Sequence, residues 1–260
     1  MFRISARTVL ELGSELISSD VIAFYELIKN GFDARTKTGV DIRFDVVLRK
    51  NDYLTLRSRI ATGATDLVNL KDQILERINA NATVGALASF TSLIRAADST
   101  ESLLEALDEA QARCNQIIVS DTGSGMSLAD LEKNFLVIGT ASRKHAVEEA
   151  LAAGKTESPY LGEKGIGRLS AMRLGERLRI ETARADDPTL NLLDIDWSLF
   201  ADLDAMLDEI KIVPTSGGAK DNPTWSGTRV IISGLSEDWT ERRVHEMAEY
   251  DFAQIGRAHV

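Results

Sequence analysis

Apolar residues recur at helical spacing over residues 11–33, with a break at Ser18-Ser19-Asp20, where any of the three can cap a helix starting near Val21. In that second helix Val21, Phe24, Tyr25, Ile28 and Phe32 make one apolar face. Glu26, Asn30 and Asp33, at i, i+4 and i+7, line up on another. Residues 41–48 (DIRFDVVL) alternate like a half-buried strand. Residues 54–112 change character. Leu67, Leu70, Ile74, Leu75 and Ile78 predict one helix and residues 84–96 a second. Asp98 with Glu101 reads as a capping box opening a third, which carries Leu103, Leu104 and Leu107. Periodicity without proline marks this segment as a helical insertion rather than a linker.

The pattern then becomes shorter and glycine-punctuated. A strand over 116–120 (QIIVS) runs into Asp121-Thr122-Gly123-Ser124-Gly125, and a helical pattern follows over 127–136. A loop of small and charged residues extends to Pro159 and leads to Gly162–Gly167 and a helix from Leu169. Strands are predicted near 176–183, 190–197, 209–213 and 228–233, with a turn-rich connection over 214–227. Residues 238–251 read as a helix, and the chain has no internal repeat.

Composition narrows the classes without naming a chemistry. With 260 residues the chain is long enough for one well-buried domain or two small ones, and 44% hydrophobic with 27% charged residues excludes wholesale disorder. A net charge of −10 argues against a broad nucleic-acid-binding surface. The apolar runs are too short for a transmembrane helix, and the N-terminus does not read as a signal peptide. Cys114 is the only cysteine, which excludes an internal disulfide and suits a reducing cytoplasm.

Several chemistries fail on spacing. Gly154-Lys155-Thr156 would close a phosphate-binding loop of the GxxxxGK[ST] type, but Glu149 occupies the position that needs glycine. His145, His245 and His259 are far apart in the chain, and one cysteine cannot build a structural zinc site. Neither glycine cluster completes the dinucleotide pattern GxGxxG.

What remains is a pair of glycine clusters and the polar stripe, each of which has an ordinary reading as turns or as a solvated helix face. The first cluster follows a buried strand and begins with an acid. The second opens a helix, so its backbone N–H groups point where an anion would sit, and Lys164 and Arg168 add positive charge there. The stripe is flanked by strongly apolar residues, which favours a ligand or ion facing Glu26, Asn30 and Asp33. A carboxamide oxygen and phosphate oxygens suit Mg²⁺, and a carboxylate one turn away is placed to activate a water attacking a terminal phosphate.

In order, these pieces resemble the GHKL ATPases: gyrase B, the ninety-kilodalton heat-shock chaperone, histidine kinases and the mismatch-repair protein MutL. Glu26, Asn30, Asp33 and Ala34 meet the family's E-x-x-x-N-x-x-D-A spacing. Asp121-x-Gly123-x-Gly125-Met126 is similar to its adenine box, Gly162-x-x-Gly165-x-Gly167 to its phosphate box, and Ser226-Gly227-Thr228 to its last, weaker box. The resemblance implies a two-layer α/β sandwich of the Bergerat ATP-binding fold, with a mixed, mostly antiparallel sheet and helices on one face. It implies ATP and Mg²⁺ as ligands. Glu26 would be the general base, Asn30 the metal ligand, and Asp33 a structural or supporting residue. Asp121 would accept the adenine amino group with Thr228 supporting it through water, and Gly125 and Met126 would pack on the base. Gly162, Lys164, Gly165, Ile166, Gly167 and Arg168 would surround the phosphates. Phe135, Gly139, Thr140, Ser142 and Lys144 are similar to the lid of the chaperone-like and MutL-like branch.

The expected organisation is an ATP-binding domain over 1–235, with the insertion at 54–112 and a lid at 127–161. Residues 236–260 would begin a following transducer-like domain. The expected activity is ATP hydrolysis, slow in this chain alone, with ATP-driven dimerisation controlling a larger protein. Nucleic-acid binding is not expected of this chain by itself. Two alternatives stand beside it: a nucleotide-gated dimerisation module with little turnover, and phosphotransfer of the histidine-kinase type. Glu26 argues against the latter, because histidine kinases lack a glutamate at that position.

Overall fold

The first two helices form where the apolar period and the cap agree. The computed structural model of the chain describes residues 4–63, 66–135, 169–202 and 204–252. Helix α1 (Arg7–Leu16) precedes α2 (Asp20–Asp33), whose N-cap Ser19 accepts a hydrogen bond from the Ile22 N–H at 3.3 Å. The buried face of α2 is Ala23, Phe24, Leu27, Ile28 and Gly31. This corrects the expected stripe, since Phe32 is exposed. Small residues at 23 and 31 let neighbouring backbone approach, and that moves the buried face round the helix. The helix ends in a Schellman-type turn: Thr36 N–H donates to the Gly31 carbonyl, with Arg35 left-handed at φ 58°.

Strand β1 (Val40–Asp45) is shorter than the alternation suggests, because the chain turns away at Val46. Four helices follow: α3 (Lys50–Thr62), α4 (Leu67–Leu75), α5 (Val84–Ala96) and α6 (Thr100–Cys114). The cap of α6 lies one residue beyond the expected one: Ser99 and Ser102 cap each other reciprocally, and Asp98 instead accepts from the Ser102 hydroxyl. Then come β2 (Gln116–Asp121), the short α7 (Leu128–Asp130) with a π-helical turn at Leu131–Phe135, and α8 (Ser170–Leu174). Strands β3 (Gly175–Ala183), β4 (Thr189–Asp196), β5 (Thr215–Ala219) and β6 (Gly227–Leu235) complete the sheet. Helix α9 (Glu241–Glu246) continues into a π-helical stretch, Met247–Phe252.

The sheet has six strands in the order β1-β2-β6-β3-β4-β5, and with its helices it makes an α/β sandwich. Strands β3 and β4 are antiparallel, running in register from Arg177 opposite Asp196 to Thr182 opposite Asn191. The strand expected at 209–213 is absent: Leu207–Glu209 is a 3-10 turn, and the fifth strand falls in what reads as a turn-rich connection. Its sequence TSGGA lacks apolar alternation because β5 is an edge strand with both faces largely exposed.

The chain divides into two compact units. The first comprises Met1–Ile42 and Ile118–Ile232. In it, Arg173 of α8 donates to the buried Asp20 at 3.0 Å, tying α8 to the start of α2. The second comprises Arg43–Ile117 and Ser233–Val260. Its core is Val47, Leu48, Leu56, Ile60, Leu70, Ile74, Phe90, Ile94, Leu103 and Leu107 with their small neighbours. Buried Asn115 closes that core as backbone would, accepting from Val47 N–H at 2.8 Å and donating to the Leu48 carbonyl at 2.7 Å.

Candidate functional site

Strand β2 ends on the carboxylate of Asp121. Asp121 Oδ1 accepts from the Gly123 N–H at 2.8 Å, and the backbone N–H of Thr228 in β6 favours the charged form of this carboxylate. Burial pushes the Asp121 carboxyl above the ordinary carboxylate range, and the two backbone donors pull it back in part. A carboxylate has about four lone-pair sites, so the Gly123 N–H leaves it able to accept from a ligand N–H.

The end of α2 is pressed against this residue. A Cβ at Gly31 would lie 2.5 Å from Val40 Cγ2 and 3.2 Å from Asp121 Cβ, so only glycine allows α2 to pass this close. Asn30 is the preceding residue. The turn after α2 also grips the loop after β2. Ser124 N–H donates to the Ala34 carbonyl at 2.9 Å, and Thr122 Oγ1 accepts from the N–H groups of Lys37 and Thr38, both at 3.2 Å. The stripe and the first glycine cluster, separate in sequence, thus share one neighbourhood.

Along the stripe, Glu26, Asn30 and Asp33 are half-buried. Lys29 Nζ lies 3.8 Å from Glu26 Oε1, with side chains only 13% and 21% exposed, and over the Tyr25 ring at 5.6 Å. Lys29 therefore puts a positive charge beside the candidate base, from a position that no motif spacing singles out.

Beyond Asp121 the loop is shaped by Gly125, at φ +66°, where a Cβ would fall 1.8 Å from the Ala183 carbonyl oxygen. Met126 follows, its N–H donated to Thr182 Oγ1 at 2.9 Å and its carbonyl accepting from Asn191 Nδ2 at 2.9 Å. Ser127 and Asp130 then cap α7 reciprocally, and Arg184 reaches Asp130 Oδ2 at 2.6 Å. Burial alone would raise the Asp130 carboxyl. The Ser127 donors and the Arg184 guanidinium outweigh it and hold the group below the ordinary range. Thr228, at the start of β6, is buried and its hydroxyl lies 3.1 Å from that of Thr182.

Asp121, Gly125, Met126 and Thr228 are thus brought together, with α2 alongside. Lys144, Gly162, Lys164, Gly165, Ile166, Gly167 and Arg168 lie outside the described residues, as do Gly139, Thr140 and Ser142. Thr182 and Asn191 escaped the sequence reading, although a signal existed. Each sits at a core-facing position of its strand, in step with Leu178 and Ile180 or with Leu193 and Ile195, where an apolar residue is the default.

Against known families, residues 86–212 match the model of the histidine kinase-, DNA gyrase B- and HSP90-like ATPases. The matched stretch includes Asp121, Gly125, Met126 and the second glycine cluster, and lies between the α2 stripe and Thr228. It supports the GHKL resemblance on residues that carry two of its four motifs, and with it ATP binding coupled to hydrolysis or phosphotransfer. Among the described residues no helix is long and apolar enough to cross a membrane.

Proposed function

We propose that the chain binds ATP between the Asp121 loop and α2 and hydrolyses it with Mg²⁺. The observation that carries this reading is the Asp121 carboxylate, held by the Gly123 N–H at 2.8 Å with lone pairs to spare, inside a segment matched by an ATPase family. An acceptor held rigidly at this point suits the exocyclic amino group of adenine and faces the carbonyl of guanine unfavourably. Thr228 would support the contact through water, and Gly125 and Met126 would form the wall against the base.

The donor set on α2 fits the other end of the nucleotide. The Asn30 carboxamide oxygen would hold Mg²⁺ beside phosphate oxygens, where the ion neutralises phosphate charge. Glu26, one turn earlier, would orient a water and take its proton, with Lys29 keeping positive charge close to that carboxylate. Asp33 would support the stripe from the turn beyond. Gly162, Lys164, Gly165, Ile166, Gly167 and Arg168 would enclose the phosphates, and Lys144 would act from a lid spanning 127–161.

In this reading residues 1–235 form the nucleotide domain, 54–112 its helical insertion, and 236–260 the start of a transducer-like domain. The chaperone-like and MutL-like branch is favoured by Glu26 and by the NFLVIGTASRK segment. ATP-driven lid closure and homodimerisation would control a larger cytoplasmic protein. A nucleotide-gated dimerisation module without turnover is the second reading, and Glu26, which binding alone does not need, weighs against it. The test is Glu26→Ala. ATP binding should persist while turnover of the full-length protein falls by about 10²–10⁴-fold. Unchanged turnover would remove the general base, and phosphate transfer to a histidine would favour the kinase alternative.

A further inference from the structure

Met126 is held by both ends of its backbone. Its N–H is donated to Thr182 Oγ1 at 2.9 Å, and its carbonyl accepts from Asn191 Nδ2 at 2.9 Å. The two side chains doing this are directly opposite one another in the β3–β4 register. Both residues are buried, at 0% and 6% exposure, and each interrupts an otherwise apolar row. A buried hydroxyl or carboxamide without partners is costly, so these two need the contacts they make.

Those contacts leave little freedom. Asn191 uses one amide hydrogen on Met126 and the other on Asp187 Oδ2 at 3.0 Å, while Asp187 Oδ2 also accepts the Arg184 N–H at 2.9 Å. Both partners accept through oxygen, so the amide nitrogen rather than its oxygen faces them. Thr182 has one proton, and the Gly227 carbonyl at 2.8 Å, which has none to give, takes it. In the 3.1 Å contact between the hydroxyls of Thr182 and Thr228, Thr228 must therefore be the donor. One hydroxyl thus fixes Met126 and orients the Thr228 proton inward, leaving Thr228 Oγ1 to accept from the ligand side.

We propose that the cross-strand pair Thr182 and Asn191 positions Met126 and Thr228 for the nucleotide base and so sets affinity for the adenosine part of the ligand. The proposal rests on the ATP reading above and adds two positioning residues to it. A purely structural pair would affect all ligands alike. A positioning pair acts on the base alone, because the phosphates are held elsewhere.

The experiment measures calorimetric affinities of the full chain for ATP, adenosine and inorganic tripolyphosphate, each with Mg²⁺. Thr182→Val, which keeps shape and loses the hydroxyl, and Asn191→Ala should each weaken adenosine about tenfold or more, the scale of one lost hydrogen bond, with tripolyphosphate unchanged. Thr182→Ser should restore adenosine binding. Equal losses for adenosine and tripolyphosphate, equal behaviour of the Val and Ser variants, or no loss at all would overturn the proposal. Should Thr182→Val fail to fold by circular dichroism, Asn191→Ser carries the same comparison. A wild-type chain that binds none of the three ligands refutes the ATP reading itself, an outcome distinct from a failed variant.

Discussion

The α3–α6 helices and the loop from Asp121 to Ser127 are built on opposite principles. The helices bury Leu56, Ile60, Leu70, Ile74, Phe90, Ile94, Leu103 and Leu107 against one another, so their order comes from non-directional apolar burial spread over many side chains. The loop has little to bury. Its order comes from a few directed hydrogen bonds, with the Asp121 carboxylate and Thr182 Oγ1 accepting and Asn191 Nδ2 donating, and from two glycines, Gly123 and Gly125, where a side chain cannot fit. Burial tolerates change by repacking. A directed network does not, because losing one partner strands the other. Substitutions in the helices should therefore show up in stability, and substitutions in the loop should show up in ligand affinity.

The largest expected effect is on the helical side. Phe90 is wholly buried, and Phe90→Ala should cost about 3–5 kcal/mol by denaturant titration. ATP affinity of the protein that remains folded should be unaltered. A parallel loss of affinity would break the contrast. Next is Gly125→Ala, whose methyl group would meet the Ala183 carbonyl at 1.8 Å in a left-handed backbone. It should cost about 1–3 kcal/mol of stability and abolish ATP binding measurable by calorimetry. Retained binding would mean that the loop does not shape the site.

A smaller effect follows from the raised Asp121 carboxyl. The folded chain holds this proton to higher pH than the unfolded chain does, so the folded state binds more protons in the window above the ordinary aspartate value. Stability from this group therefore falls as pH rises through that window, and is not regained above it. Asp121→Ala removes the titration. The variant's melting temperature minus that of the wild type should drift upward with rising pH, whatever its starting sign. A flat or downward difference would contradict the burial of Asp121.

The same contrast explains what the sequence reveals. Where burial follows a period, as in α2, α4, α5, β3 and β4, the element is legible within a few residues. Helix α3 is not, because its sequence KNDYLTLRSRIAT is mostly polar and sets its few large apolar residues too sparsely to show a period. Strand β5 is not, because an exposed edge needs no apolar face. At the site, Glu26, Asn30 and Asp121 can be singled out by type and spacing. The residues that hold the loop in place cannot be found that way. Thr182 and Asn191 act through register across two strands, and Lys29 through its reach back to Glu26, which are properties of the folded chain.

Calorimetric titration of ATP with Mg²⁺ into the wild type and Asp121→Ala shows whether the Asp121 carboxylate recognises the base of a bound nucleotide. One ATP per chain should bind the wild type, and the variant should bind about 10–100-fold more weakly, the range for a lost hydrogen bond to a charged group. Equal affinities in the two proteins, or no binding to the wild type, would contradict that role.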